Sequence, residues 1–130
     1  MINLETSNGH LTVGGLCVYP KMCIDDLLRQ TNINIESNVR NQLNESYIIP
    51  SLENGKFAAG IHFYNNSIDF ISISMGNKYN FPAFVITSIE KEMLNDVLRN
   101  LNGASEYKWG SVSMAEDLRG GMISIIIKYI

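Results

Sequence analysis

The C-terminal stretch 107–130 carries the pattern that most constrains the fold. On both sides of Gly120-Gly121, apolar residues alternate with small or polar ones. This period of two is typical of strands with one buried face, and glycines supply the positive φ that a tight reversal needs. The alternating residues are Val112 and Met114 before the glycines, and Ile123, Ile125, Ile127 and Tyr129 after them. The stretch therefore predicts a β-hairpin whose second strand is long enough to be central in a small sheet.

Another hairpin is predicted at the start of the chain. Asn8-Gly9 lies between two short alternating runs, and this dipeptide favours a type I′ turn because both central residues of that turn need φ > 0. A two-residue loop would place Leu4 opposite Val13. The two glycines that follow Val13 predict either a bulge or a turn into a third strand.

The stretch 56–75 predicts a further hairpin, with its turn at Asn65-Asn66 because asparagine tolerates the left-handed conformation. A two-residue loop there pairs His62 with Asp69.

Beyond Phe70 the apolar phase of this hairpin slips by one residue. The slip indicates either a bulge near Phe70 or a sheet that is covered on both faces. We favour a covered second face, because Ala58 and Gly60 are small and leave room for another element to pack there.

The clearest helix is predicted to begin at Thr87, where Thr87 and Glu90 form the capping-box pattern, and to end near Gly103. Its predicted apolar stripe consists of Ile89, Met93, Leu94, Val97, Leu98 and Leu101. A shorter amphipathic helix is predicted from Ile24, with acidic residues in its first turn.

Two stretches are less informative. Residues 31–55 are polar and rich in asparagine, and they are compatible with a poor strand or a loop, with a brief edge strand at 47–49 before Pro50. Residues 76–86 predict a connection with partly buried aromatic side chains.

Together these elements predict an α+β fold in the order ββ(β)-α-ββ-α-ββ, in a single globular domain over residues 1–130. Tight turns join neighbouring strands, so we expect a mostly antiparallel sheet of about six strands with both helices packed on one face.

Composition excludes several classes of protein. The 45% hydrophobic and 18% charged residues are typical of a folded domain. A net charge of -3 argues against nucleic-acid binding, which usually needs a basic stripe. No apolar run is long enough for a membrane span and the start lacks the features of a signal peptide, so we expect a cytoplasmic protein without a membrane partner. Cys17, Cys23 and the two histidines form no zinc pattern, and we expect no metal or other cofactor.

The sequence contains no recognisable catalytic motif, such as a P-loop, a nucleophile elbow or a zinc-protease helix. The only acid–imidazole pair that the predicted register brings together is His62 with Asp69. Such a pair acts as a general base only beside a cleft and a nucleophile.

Some residues are candidates for contact with a partner protein. Aromatic side chains are enriched in interface hot spots, although a lone tryptophan more often fills a core or its edge. Exposed acids that cluster would attract a basic partner. The candidates are Asp25, Asp26, Asp69, Tyr107, Trp109, Glu116 and Asp117.

Three phrases carry a resemblance to known proteins. They are Asn8-Gly9-x-Leu11-x-Val13-Gly14-Gly15, then Asp25-Asp26-Leu27-Leu28, then Trp109-Gly110-x-Val112…Asp117-x-Arg119-Gly120…Ile125-x-Ile127-x-Tyr129. In these phrases the chain resembles a loose group of small bacterial cytosolic proteins, often found as immunity proteins of polymorphic or contact-dependent growth-inhibition toxin systems. That group opens its first helix with Ser or Thr where this chain has Cys23, a weaker N-cap.

The resemblance implies a protein that binds a cognate toxin domain over or beside its active site and blocks substrate access without chemistry of its own. Acidic rim residues would speed association with a basic toxin such as a nuclease. No binding residue carries over from the group. The alternatives are another interaction module, for instance a subunit that self-associates through an exposed strand edge, and a small enzyme centred on His62 and Asp69.

Overall fold

The computed structural model of the protein describes residues 2–30, 32–76, 86–117 and 119–130. Within these residues the chain forms ten strands and two helices. The strands are β1 (Ile2–Glu5), β2 (His10–Val13), β3 (Leu16–Val18), β4 (Glu36–Asn41), β5 (Asn44–Leu52), β6 (Phe57–Tyr64), β7 (Ser67–Met75), β8 (Ser105–Tyr107), β9 (Gly110–Asp117) and β10 (Met122–Tyr129). The helices are α1 (Ile24–Leu28) and α2 (Ser88–Asn100).

The described strands form two antiparallel sheets. The large sheet has the order β4-β5-β6-β7-β10-β9-β8, and the small sheet has the order β1-β2-β3. The predicted α+β fold, with a mostly antiparallel sheet and two helices, is confirmed. The predicted number of about six strands is too low, and the predicted order omits β4, β5 and β8.

The C-terminal hairpin forms as predicted, and β10 is central because it lies between β7 and β9. Its predicted apolar residues, Ile123, Ile125, Ile127 and Tyr129, are all buried, and the residues between them are half-buried or exposed. At the turn, the Asp117 carboxylate accepts hydrogen bonds from the backbone amides of Arg119 and Gly120, each at 3.1 Å. Gly121 adopts a φ of 65°, as a tight reversal requires.

The β6–β7 hairpin contains a bulge, which explains the slip in its apolar phase. Phe63 pairs with Ile68 as predicted, but His62 pairs with Phe70, so Asp69 is the extra residue. The bulge returns the apolar residues of β7 to the face on which β6 carries its own. The prediction made from the small residues Ala58 and Gly60, that a covered second face explains the slip, is therefore wrong.

The register of the first hairpin also differs from the prediction. Leu4 pairs with Leu11 rather than Val13. The amides of Asn8 and Gly9 both donate to the Glu5 carbonyl, at 3.3 and 2.8 Å, so the turn is longer than a two-residue loop. The glycines after Val13 turn the chain into β3, which is one of the two predicted outcomes.

Strand β4 and all of β5 lie in the polar stretch for which the sequence left open a poor strand or a loop. The strand at 47–49 was predicted at an edge of the sheet, which is wrong because β5 lies between β4 and β6. All six residues of β4 are exposed, so the strand has no apolar alternation for the sequence to show. The pairing of β4 with β5 stops at Ile48. Pro50 is therefore accommodated, because a proline, which has no backbone N–H, is not required to donate a hydrogen bond toward β4.

Helix α2 has the predicted capping box, in which the Glu90 amide donates to Thr87 Oγ1 at 3.2 Å. Ile89 was predicted to belong to the apolar stripe, but it is 59% exposed, so its place in the stripe is wrong, whereas Leu94 is fully buried. The helix ends in two left-handed residues, and the Gly103 amide donates to the Leu98 carbonyl at 2.8 Å.

The apolar core lies between one face of the large sheet, called here the core face, and the small sheet with the two helices. Helix α2 packs on β10, β7 and β1. Polar contacts between the sheets include a hydrogen bond from Tyr129 Oη to the Gly9 carbonyl at 2.9 Å and one from Trp109 Nε1 to the Thr6 carbonyl at 2.8 Å. The opposite side of the large sheet is called the outer face. Apart from its two end residues, the connection predicted over 76–86 lies outside the described residues.

Candidate functional site

A row of side chains crosses the outer face from β5 to β8. Each residue in the row is the direct cross-strand partner of the next. Strands in a sheet lie about 4.8 Å apart, so the row is roughly 24 Å long. Its residues, called here the outer row, are Ser46, His62, Phe70, Lys128, Ser111 and Glu106.

The middle of the outer row does not contain the predicted acid–imidazole pair. His62 stacks on Phe70 with 5.2 Å between ring centroids, and its Nε2 lies 3.1 Å from the Asn44 side-chain oxygen. Asp69 instead accepts a hydrogen bond from Lys128 Nζ at 3.0 Å. The predicted pairing of His62 with Asp69 is wrong because the bulge shifts β7 by one residue. The alternative of an enzyme centred on this pair loses its basis.

At the β8 end of the outer row, the surface forms a cleft with a volume of about 380 Å³. It is called here the corner cleft, and its lining residues are Glu106, Tyr107, Gly110, Ser111, Lys128, Tyr129 and Ile130. The cleft exists because β8 is only three residues long and turns directly into β9 at Gly110. A Cβ at Gly110 would lie 1.9 Å from the Lys128 carbonyl oxygen, so glycine permits the close approach of β9 to β10.

Trp109 supports the corner cleft from the core side. Its ring stacks on Tyr107 with 5.0 Å between centroids and an interplanar angle of 8°. The other side of the indole faces Gly9, where an added Cβ would lie 2.6 Å from the ring. Trp109 is half-buried and also contacts Tyr129, so it has the core-edge role that a lone tryptophan favours.

The structure divides the predicted partner-binding residues into three groups. Tyr107 lines the corner cleft, Trp109 lies behind it, and Asp69 holds the Lys128 that lines it. Glu116 and Asp117 lie at the opposite end of β9, about 23 Å from Gly110 at a strand rise of about 3.3 Å per residue.

The remaining two candidates are on α1, which meets the β6–β7 turn through a hydrogen bond from the Ile24 amide to Asn66 Oδ1 at 3.1 Å. Asp25 is exposed. The thiol and the amide of Cys23 both donate to Asp26, and these hydrogen bonds lower the pKa of the Asp26 carboxyl. The carboxylate thus compensates for the weak cap that Cys23 itself provides.

The two distant acids also have structural partners. Glu116 forms an ion pair with Lys91 of α2 at 3.0 Å, and Asp117 holds the β9–β10 turn. The seven candidates therefore do not form one acidic cluster.

The most prominent residues of the site were not predicted. Glu106, Ser111 and Lys128 come together only through the pairing of three strands. The one available signal in the sequence was Lys128, a charged residue in a mostly apolar run.

The described residues include no cluster of three His, Cys, Asp or Glu side chains placed to bind a metal ion. Helix α2, the longer helix of that part of the chain, has 13 residues, whereas a membrane span needs about 20.

The chain matches no protein-family model and no curated protein by sequence. Its structure, however, is similar to a chain of a solved structure described as "Rhs1-CT in complex with cognate immunity protein RhsI1". The TM-score is 0.69 and the sequence identity is 14%. The similarity covers 99% of this chain and 87% of that chain. At this identity the comparison establishes a shared fold that extends over nearly the whole chain.

Proposed function

We propose that this chain is an immunity protein that binds and neutralises a cognate bacterial toxin domain. The observation that carries the proposal is the similarity, over 99% of the chain, to a structure of a toxin–immunity complex. The three sequence phrases that resemble immunity proteins point to the same function independently of that comparison.

The surface of the protein suits an inhibitor that acts by contact. The outer face carries a stacked His62–Phe70 pair and a cleft at its corner, whereas no described cluster offers a metal site. Binding energy at protein interfaces is concentrated in a few anchors that enter such clefts, and catalysis by the inhibitor is not required. In this proposal the protein acts in the cytoplasm and covers the toxin's active site or its approach.

Co-expression tests this function. The proposal predicts a toxin gene beside the gene for this chain. Its toxin domain is produced in a host cell with the wild-type protein, and growth is compared with that of cells that produce the toxin alone. We expect protection with the wild-type protein and none with an unrelated immunity protein. Cell death despite soluble, folded wild-type protein would contradict the proposal.

Strand β4 favours a second candidate function, which is self-association. It lies at one edge of the large sheet, and among the described residues it pairs only with β5. The unpaired backbone groups of an edge strand are a template for another strand. Light scattering of the purified protein distinguishes the two functions, because a stable homodimer at micromolar concentration supports self-association and a monomer contradicts it.

A further inference from the structure

We infer that the corner cleft is the receptor for an arginine side chain of the cognate toxin domain, with Glu106 as its counter-ion and Tyr107 as its stacking surface. The inference rests on the proposed function and adds to it a contact surface and the chemistry of the group that enters it.

Glu106 occupies a distinctive position on the surface. It lines the corner cleft and also a second depression of about 500 Å³, formed with Ala104, Ser105, Ser111, Val112 and Ser113. Its side chain therefore stands between two concave regions. A group bound in either region would be within reach of this carboxylate.

The charges around the cleft leave Glu106 as its uncompensated group. Lys128 lines the cleft, but its ammonium is neutralised by Asp69 at 3.0 Å. Glu106 is exposed and forms no ion pair with any of the described residues. Lys108 is also exposed, but it lines neither depression. An unpaired carboxylate at the edge of a cleft complements a cation.

The Tyr107 ring, which lines the cleft, favours arginine over lysine as the bound cation. Tyr107 is held by its stacking on Trp109, which in turn is fixed by its hydrogen bond to the Thr6 carbonyl. The guanidinium group is flat and weakly hydrated, so it stacks on an aromatic ring while donating hydrogen bonds to a carboxylate. A lysine ammonium would form the ion pair without the stacking contact. Arginine is also enriched among interface hot spots.

Titration of the purified proteins tests the inference. The probe is the toxin domain encoded beside the gene for this chain, carrying a substitution that abolishes its activity. Trp109 is the single tryptophan of this protein and lies against Tyr107, so its emission reports on the cleft if the toxin lacks tryptophan. Calorimetry provides the affinity in every case.

We expect Glu106→Gln to weaken binding about tenfold or more, and Glu106→Lys to weaken it about a hundredfold, as hot-spot residues do. Tyr107→Ala should also weaken binding about tenfold, whereas Tyr107→Phe keeps the ring and should stay within about twofold of wild type. The matched control is Glu92→Lys on α2, an exposed acid remote from the cleft, which should stay within about twofold. Thermal unfolding of each variant confirms that it is folded.

The group that enters the cleft is identified by a double-mutant cycle. Each arginine on the toxin is replaced by alanine and combined with Glu106→Gln. One arginine should show an effect that is not additive with that of Glu106→Gln, which demonstrates direct coupling. Coupling to a lysine, or to no cation, would overturn the inference.

Failure of the inference differs from failure of the proposed function. If wild-type protein binds and protects while Glu106→Gln and Tyr107→Ala bind as tightly, the toxin contacts another surface and only the inference is wrong. If wild-type protein neither binds nor protects, the proposed function is wrong and the inference falls with it.

Discussion

Strands β10 and β4 belong to the same sheet, but they differ in almost every property that holds a strand in place. In β10, four side chains are 2% exposed or less, and neighbouring strands pair on both sides. In β4, all six residues are exposed, and among the described residues the only paired neighbour is β5. Burial of a large aliphatic side chain contributes about 1.5–3 kcal/mol, so β10 has a stabilising term that β4 lacks.

The comparison shows that the large sheet is stabilised unevenly. The half that contains β7, β10 and β9 is supported by α2 and the small sheet, with Tyr129 and Trp109 as the joining residues. The edge strand β4 contributes only exposed residues. Substitutions in β4 and in the strands around β10 should therefore differ in their effect on stability, and the following predictions test this difference from the largest effect to the smallest.

Replacement of Ile125 by alanine should have the largest effect. Its side chain is fully buried in the middle of β10, between Ile73 of β7 and Met114 of β9. Truncation of a buried isoleucine leaves a cavity and costs about 2–5 kcal/mol. Urea unfolding at 25 °C measures the change, and a loss below about 1 kcal/mol would show that this position is not tightly packed.

Gly9→Ala should destabilise the junction between the two sheets. Gly9 has a φ of 80°, and an added Cβ would lie 2.6 Å from the Trp109 ring. Left-handed strain and displacement of the indole together should cost about 1–3 kcal/mol and shift the tryptophan emission. Gly103→Ala is the matched control, because φ is 76° there and no atom lies within 4 Å. Equal losses in the two variants would mean that Trp109 does not pack against Gly9.

Alkaline pH should weaken the same junction. Burial raises the pKa of the Tyr129 hydroxyl above its usual value, whereas in the unfolded chain it titrates near 10. The protonated Tyr129 hydroxyl therefore makes its full contribution to the free energy of unfolding below about pH 10. This contribution is lost as pH rises toward the folded pKa, at up to about 1.4 kcal/mol per pH unit. Burial also raises the pKa of Tyr19 and of Tyr47.

Urea unfolding between about pH 9 and 11 measures this slope, and Tyr129→Phe should reduce it by removing one of the titrating groups. At neutral pH the same variant loses the hydrogen bond to the Gly9 carbonyl, which should cost about 1 kcal/mol. An unchanged slope would contradict the assignment to Tyr129.

Val39→Ala in β4 should have the smallest effect. Val39 is 47% exposed, and its truncation should change the free energy of unfolding by no more than about 0.5 kcal/mol, as is usual for surface positions. The comparison with Ile125→Ala is then direct, because both changes truncate an aliphatic strand residue. A loss above about 1 kcal/mol would show that β4 is as firmly held as β10.

The sequence predictions were accurate where a structure depends on residues close in the chain, and inaccurate where it depends on pairing between distant segments. Helix α2 and the C-terminal hairpin were predicted with their turns and caps, because a capping box, an apolar stripe and a two-residue alternation are local patterns. Strand β4 was missed because it buries no side chain and carries no pattern. The pairing of His62 with Asp69 was wrong because one bulge residue shifts every partner beyond it.

The candidate site shows the same limit. Tyr107 and Trp109 were candidates from the sequence and lie at the corner cleft, but Glu106 and Lys128 become neighbours only after β8, β9 and β10 pair. The acids at 116 and 117 are adjacent to this region in the chain, yet the length of β9 carries them to the far end of the sheet.

By itself, the sequence determined the α+β class, the antiparallel turns and helix α2, because each depends on contacts between residues close in the chain. The tertiary structure decided the order of the strands, the position of the bulge and the assembly of the corner cleft. These depend on pairings between distant segments, whose geometry follows from the packing of the whole core.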